Sequence, residues 1–191
     1  MIAKGLDFPN VTLVGVINAD TMLHQPDLRA TERTFQLISQ VAGRTGRSHR
    51  GGRVFVQSSS PAEPAILKAA EHDYLGFARY ELTHRRELNY PPYQKLTRII
   101  LRGPDVQQVR DCSREMADVL KKSIETHNLP IRLLGPAPAP IEKLKGKYRF
   151  HLQLSAEEIE PIQTLWHSVA DDLPRPKNVE YVIDVEPISM R

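Results

Sequence analysis

Apolar and polar positions in the first sixty residues fall into strand–helix–strand order. Val11 to Asn18 is short, continuous and rich in β-branched side chains, which predicts a buried strand. Asp27 to Thr31 offers capping residues ahead of Phe35, Leu37, Ile38, Val41 and Ala42, a helix apolar over most of its circumference. Gly51-Gly52 interrupts the chain, and Arg53 to Gln57 resumes as a strand. After the turn at Ser58 to Pro61, helices are expected over 64–71 and 73–89, the second stopped by Tyr90-Pro91-Pro92.

From Lys95 the pattern changes. A strand is expected over 96–102, and Asp105 with Gln108 three residues on suits a capping box. It opens a helix with Val106, Val109, Cys112, Met116, Leu120 and Ile124 on one stripe. Strands follow at 131–134 and at 148–154, the latter paired with 141–145 across Gly146. A helix at 161–170 and a strand at 179–185 complete the unit. The order β-α-β-β-α-β is that of a ferredoxin-like α+β sandwich.

Charge adds a bias. Residues 95–154 carry 12 basic and 6 acidic side chains, while 155–191 carry 3 and 8, although the net charge is only +3. A basic block beside an acidic tail suits a surface turned to a polyanion. No apolar run approaches membrane-spanning length, the start lacks the layout of an export signal, and the single Cys112 fits a reducing cytoplasm. Its place in an amphipathic helix marks it as core.

Two segments carry candidate chemistry. In Gln40-Val41-Ala42-Gly43-Arg44-Thr45-Gly46-Arg47, two arginines three residues apart share one side of a helix end. The glycines between them let a phosphate approach the backbone, a layout for sensing a nucleotide γ-phosphate. The same run also suits an ordinary helix C-cap, with Arg44 and Arg47 at the negative end of the helix dipole. The 191 residues hold no G-x-x-x-x-G-K-[ST] phosphate loop and no Asp-Glu pair placed for Mg²⁺. In the second segment, Lys143 and Lys145 share one strand face, and Lys147 and Arg149 share one face of the next. With Gly146 at a hairpin tip, the four cations converge on a phosphate backbone while Tyr148 and Phe150 point to the core. The alternative is an edge strand guarded by lysines. The seven histidines and one cysteine show no metal-ligand spacing, so no metal is expected.

Gly5-Leu6-Asp7-Phe8-Pro9, a strand, and then Gln40 to Arg47 stand in the order of motifs V and VI of superfamily-two helicases. The match extends to His72-Asp73-Tyr74, Glu81-Leu82, Arg85-Arg86 and Tyr90-Pro91-Pro92-Tyr93. It continues through Leu134-Gly135-Pro136-Ala137-Pro138-Ala139-Pro140 and Ile183-Asp184-Val185-Glu186-Pro187. Over essentially its whole length the chain resembles the C-terminal part of the primosomal replication-restart helicases, the PriA (primosomal protein N′) family.

The resemblance implies the end of a RecA-like second lobe at 1–60, a helical connector at 61–94, and a C-terminal domain at 95–191 that is similar to a small-subunit ribosomal protein. It implies a DNA-dependent ATPase, translocating 3′ to 5′, that remodels abandoned forks and starts primosome assembly. ATP and Mg²⁺ would bind with an upstream lobe that this fragment lacks, leaving it inactive alone. Arg44 and Arg47 would neutralise the transferring phosphoryl group, Gln40 and Gly43 would serve nucleotide sensing, and Gly5 would allow a tight turn. Asp7 would hydrogen-bond across the lobes or to the ribose, and Lys4 would meet a phosphate of nucleotide or DNA. The family's zinc lies in a cysteine-rich insertion absent here. Forked, single-stranded and duplex DNA, single-stranded-DNA-binding protein and other primosome proteins are the implied partners of a cytoplasmic monomer, with Gln163 a candidate contact for the binding protein. Trp166 is expected in the core. Two alternatives remain: a non-catalytic nucleic-acid-binding adaptor, or another superfamily-two helicase, against which the Tyr-Pro-Pro-Tyr and Gly-Pro-Ala-Pro-Ala-Pro segments argue.

Overall fold

The apolar run after Val11 becomes a strand only at its centre, β1 (Leu13–Val16). It pairs in parallel with β2 (Arg53–Val56), with Leu13 opposite Arg53 and Val16 opposite Val56. The structure, a computed structural model, describes residues 11–43 and 52–190. It divides into two compact units, Met1–His84 and Arg85–Arg191.

In the first unit, α1 (Asp20–Leu23) and α2 (Ala30–Ala42) connect the two strands. Asp27 organises the entry to α2: its carboxylate accepts from the Arg29 amide at 3.0 Å and from Arg33 Nη1 at 2.9 Å. Thr31 makes no cap. Val16 and Val56 pack on a core of Ala19, Phe35, Ile38, Ala65, Ile66, Ala69 and Phe77. The expected buried strand is therefore buried on one face only. Successive side chains point to opposite faces, and Leu13, Ile17 and Phe55 stand 60%, 80% and 62% exposed. Two further helices follow, α3 (Pro64–Ala70) and α4 (Tyr74–Glu87). Ala65, Ile66 and Ala69 come from α3, and Phe77 of α4 stacks on Phe35 with centroids 4.3 Å apart. Much of the segment expected as a connector thus shares a core with α2.

The second unit runs β3 (Lys95–Gly103), α5 (Val106–Thr126), β4 (Arg132–Leu144), β5 (Lys147–Ala156), α6 (Glu160–Val169) and β6 (Glu180–Val185). The strands form one antiparallel sheet in the order β4-β5-β3-β6. Asp105 caps α5, its side chain accepting from the Gln108 amide at 2.8 Å. The expected stripe holds: Val109, Cys112, Met116 and Leu120 are buried and Ile124 packs beside them, though Val106 at its start is exposed. They meet Ile99 and Leu101 of β3, Phe150, Leu152 and Leu154 of β5, and Ile162, Leu165 and Val169 of α6. Trp166 lies at the margin of this core, edge-on to Tyr181.

The stretches expected as separate strands at 131–134 and 141–145 are parts of one strand, β4. Its pairing with β5 shifts register between Leu134 and Ala137 and again between Pro138 and Lys143. Pro136, Pro138 and Pro140 stand in this irregular stretch of a border strand, a place where a sheet tolerates proline. The whole is mixed α/β, a parallel strand pair followed in sequence by a helix-backed antiparallel sheet. No helix among the described residues is long and apolar enough to cross a membrane.

Candidate nucleic-acid interface

A two-residue turn, Lys145-Gly146, joins β4 to β5. Both residues have positive φ, 50° and 82°, the backbone that fits a tight turn to the right-handed twist of its strands. This turn sets Leu144 opposite Lys147 and Lys143 opposite Tyr148. Directly paired residues share a sheet face. Lys143 therefore lies on Tyr148's face, away from Lys147 and Arg149. Its Nζ donates to the Tyr148 hydroxyl at 3.2 Å and sits 4.4 Å from the ring centroid. The expected convergence of four cations is corrected to three, because the turn length fixes the parity of the hairpin. Phe150 enters the core as expected, and Tyr148 is half-buried.

Lys145, Lys147 and Arg149 line one concavity of about 300 Å³ together with Arg102, Ile100, Leu144 and Val182. Arg102 and Glu180 were not singled out from the sequence. Arg102 is the direct cross-strand neighbour of Arg149 on one side and of Glu180 on the other. Glu180 bridges the cations: Oε1 accepts from Lys147 Nζ at 2.7 Å and Oε2 from Arg102 Nε at 3.0 Å. Those bonds, Lys147 first and Arg102 second, hold its carboxyl below the ordinary value. Arg149 is buried, and its Nη1 reaches the Ile141 carbonyl at 3.4 Å. His151, next on this face of β5, is pushed below its ordinary value by burial first, then by Arg98 and Arg149. No local pattern would have found Arg102 or Glu180, since their place depends on strands brought together from distant parts of the chain.

The family model for the Primosomal protein N C-terminal domain matches residues 86–188. The chain belongs to the PriA family. It is 38% identical over 193 aligned residues to a Replication restart protein PriA of Bacillus subtilis (strain 168), covering 100% of this chain and 24% of the relative. A protein of the same name from Treponema pallidum (strain Nichols) is 36% identical, with 100% and 28% covered. The chain thus spans about a quarter of the length of these curated relatives. Among solved structures, the de novo designed protein Foldit4 is similar at TM-score 0.36 and 14% identity, covering 48% of this chain and 94% of its own, which is too slight to carry an argument.

The PriA-like motif residues are unevenly placed. Lys4, Gly5, Asp7, Arg44 and Arg47 lie outside the described residues. Gln40 is exposed in the last turn of α2, and Gly43 is its C-cap, with φ −66°. Gln163 is exposed in the first turn of α6. Arg85 is buried with Nη1 3.4 Å from the Pro91 carbonyl, and Arg86 lies over the Tyr93 ring at 4.7 Å. Among the described residues no three His, Cys, Asp or Glu side chains gather as a metal site. Cys112 is buried, and desolvation, then Glu115, raises its thiol above the ordinary value.

Proposed function

We propose that the chain is the C-terminal part of an ATP-dependent 3′–5′ DNA helicase that remodels abandoned replication forks and starts primosome assembly. In this reading 1–60 ends a RecA-like lobe, 61–94 links it onward, and 95–191 is a ferredoxin-like domain that holds nucleic acid. The observation that carries the reading is the meeting of Lys145, Lys147 and Arg149 with Arg102 in one hollow, in a chain whose relatives are named for replication restart.

The strand order β4-β5-β3-β6 with β-α-β-β-α-β connectivity supports the ferredoxin-like assignment. The parallel pair β1/β2, with Leu13, Ile17 and Phe55 exposed on one face, suits strands of a larger parallel sheet, which is buried on both faces. Gly43 has φ −66°, and a Cβ there would come no closer than 3.6 Å to other atoms of the described residues. That favours the glycine as room for a phosphate between Gln40 and Arg44. Arg44 and Arg47 then act on the γ-phosphoryl group of ATP·Mg²⁺ held by an upstream lobe. In this reading Gly5 and Asp7 serve the nucleotide site, Lys4 meets a phosphate of nucleotide or DNA, and Gln163 contributes to the surface for single-stranded-DNA-binding protein. The zinc of the family belongs to another part of the protein.

Labelled forked, single-stranded and duplex DNA titrated with the 191-residue chain at several salt concentrations tests the nucleic-acid half. Replacing Lys145 and Lys147 with Ala is expected to reduce the slope of log K against log salt by up to about two units and to weaken all sequences alike. Unchanged affinity and slope with the fold intact would leave the lysines as edge guards. For the nucleotide half, Arg47→Ala in the longer protein is expected to cut kcat at least ~100-fold with DNA affinity retained. Retained turnover would return Arg44 and Arg47 to helix capping.

A further inference from the structure

Glu180 is a carboxylate hydrogen-bonded into the rim of the basic hollow, and the DNA reading alone gives it no role. It stands on β6, opposite Arg102, and reaches past that strand to Lys147 of β5. Its two oxygens are divided between the two cations, 2.7 Å from Lys147 Nζ and 3.0 Å from Arg102 Nε. A phosphodiester likewise offers two anionic oxygens on one atom.

The surroundings explain why an anion belongs there. Arg102 and Arg149 are directly opposed across β3 and β5, and like charges in that relation destabilise a sheet. Lys147 and Lys145 add two more cations around the same hollow. Glu180 offsets this repulsion, yet it is itself exposed, as are Arg102 and Lys145. Ion pairs in solvent hold weakly, so an incoming anion can displace the carboxylate without breaking the core. Ile100, Leu144 and Val182 give the hollow apolar walls on which the sugar or base beside that anion can rest.

We propose that Glu180 is a built-in stand-in for a nucleic-acid phosphate: on binding, a backbone phosphate takes its place between Lys147 and Arg102, making Arg102 a phosphate ligand. The carboxylate keeps the cations from repelling one another in the free protein and competes with nucleic acid for them. It thereby lowers affinity for weakly held polyanions. This inference rests on the reading of the basic hollow as the nucleic-acid site.

The test is fluorescence anisotropy of a labelled single strand of mixed sequence, titrated with the 191-residue chain at several salt concentrations. Glu180→Gln keeps the shape and removes the charge. It is expected to tighten binding about three- to tenfold and to steepen the salt dependence by about 0.7 for each additional phosphate of the single strand that is neutralised. Arg102→Ala in the Glu180→Gln background is expected to cancel most of that tightening. Glu180→Asp, charged but one methylene shorter, is expected to fall between wild type and Glu180→Gln. Circular dichroism and thermal melts check that each variant is folded. If Lys145→Ala and Lys147→Ala weaken binding while Glu180→Gln and Glu180→Asp leave it unchanged or weaker, Glu180 is an inert strut and the inference falls while the DNA reading stands. If none of the lysine or glutamate variants changes binding, the reading of the hollow falls and takes this inference with it.

Discussion

Replacing Lys145 with Asn should make the protein more stable and a poorer DNA binder. Lys145 has φ 50° at the first position of the β4–β5 turn, a region that costs an ordinary L-residue roughly 1–2 kcal/mol. Asn visits it more readily, because its short side chain hydrogen-bonds locally. Recovering about half of that strain gives ~0.5–1 kcal/mol. With a urea m-value of about 2 kcal/mol/M, the midpoint should rise by roughly 0.3–0.5 M. The lysine also lines the hollow beside Lys147 and Arg149, and losing one phosphate contact should lower the salt slope by ~0.9 on duplex DNA. Near physiological salt that corresponds to about three- to sixfold weaker binding. The assays are urea denaturation followed by circular dichroism and anisotropy titrations of one preparation. An unchanged or lower midpoint would refute the strain argument. A higher midpoint with unaltered affinity and slope would refute the placing of Lys145 against DNA.

Three further outcomes follow from the second unit. Leu120→Ala, at a fully buried position on α5, should cost about 2–5 kcal/mol in denaturant unfolding, and a loss under ~1 kcal/mol would contradict that packing. Asp105→Ala removes the acceptor for the Gln108 amide and should cost ~1 kcal/mol, read from the same curves. His151 has a folded pKa below its ordinary value, so between those two values the unfolded chain takes up a proton that the folded chain refuses. Its contribution makes stability fall as pH drops through that window. His151→Gln should reduce the difference between urea midpoints measured at about pH 7.5 and 5.5, and an unaltered difference would show that His151 does not drive it.

What the sequence discloses about this fold is mostly local. The stripe from Val109 to Leu120, the Asp105 cap and the turn at Gly146 are visible because helix period, capping chemistry and turn residues act within a few positions. The ends of β1 are not, since a run of apolar residues does not say whether a second layer covers Leu13 and Phe55. Lys143 shows how little separates a right from a wrong face: a two-residue turn makes it Tyr148's partner, which alternation within each strand cannot reveal. Arg102 and Glu180 are harder still, being 78 positions apart in sequence and joined only by the pairing of β3 with β6. The single long β4 was hidden by its prolines, which read as a break between two strands and prove to be an irregularity within one.

Those prolines also decide how this unit can assemble with other proteins. β4 forms one border of the sheet, and a border strand normally recruits a visiting segment by lending it a row of backbone donors. Three alternate residues of β4, Pro136, Pro138 and Pro140, have no donor to lend. A companion protein is thereby steered toward side-chain contacts rather than sheet extension on that flank. By the same argument, two copies of this unit meeting along β4 would find few donors with which to pair. The opposite border, β6, has no proline and exposes Val182 and Val185, but Glu180 and Asp184 alternate with them. One flank is closed to strand addition by missing donors, and the other is discouraged by charge.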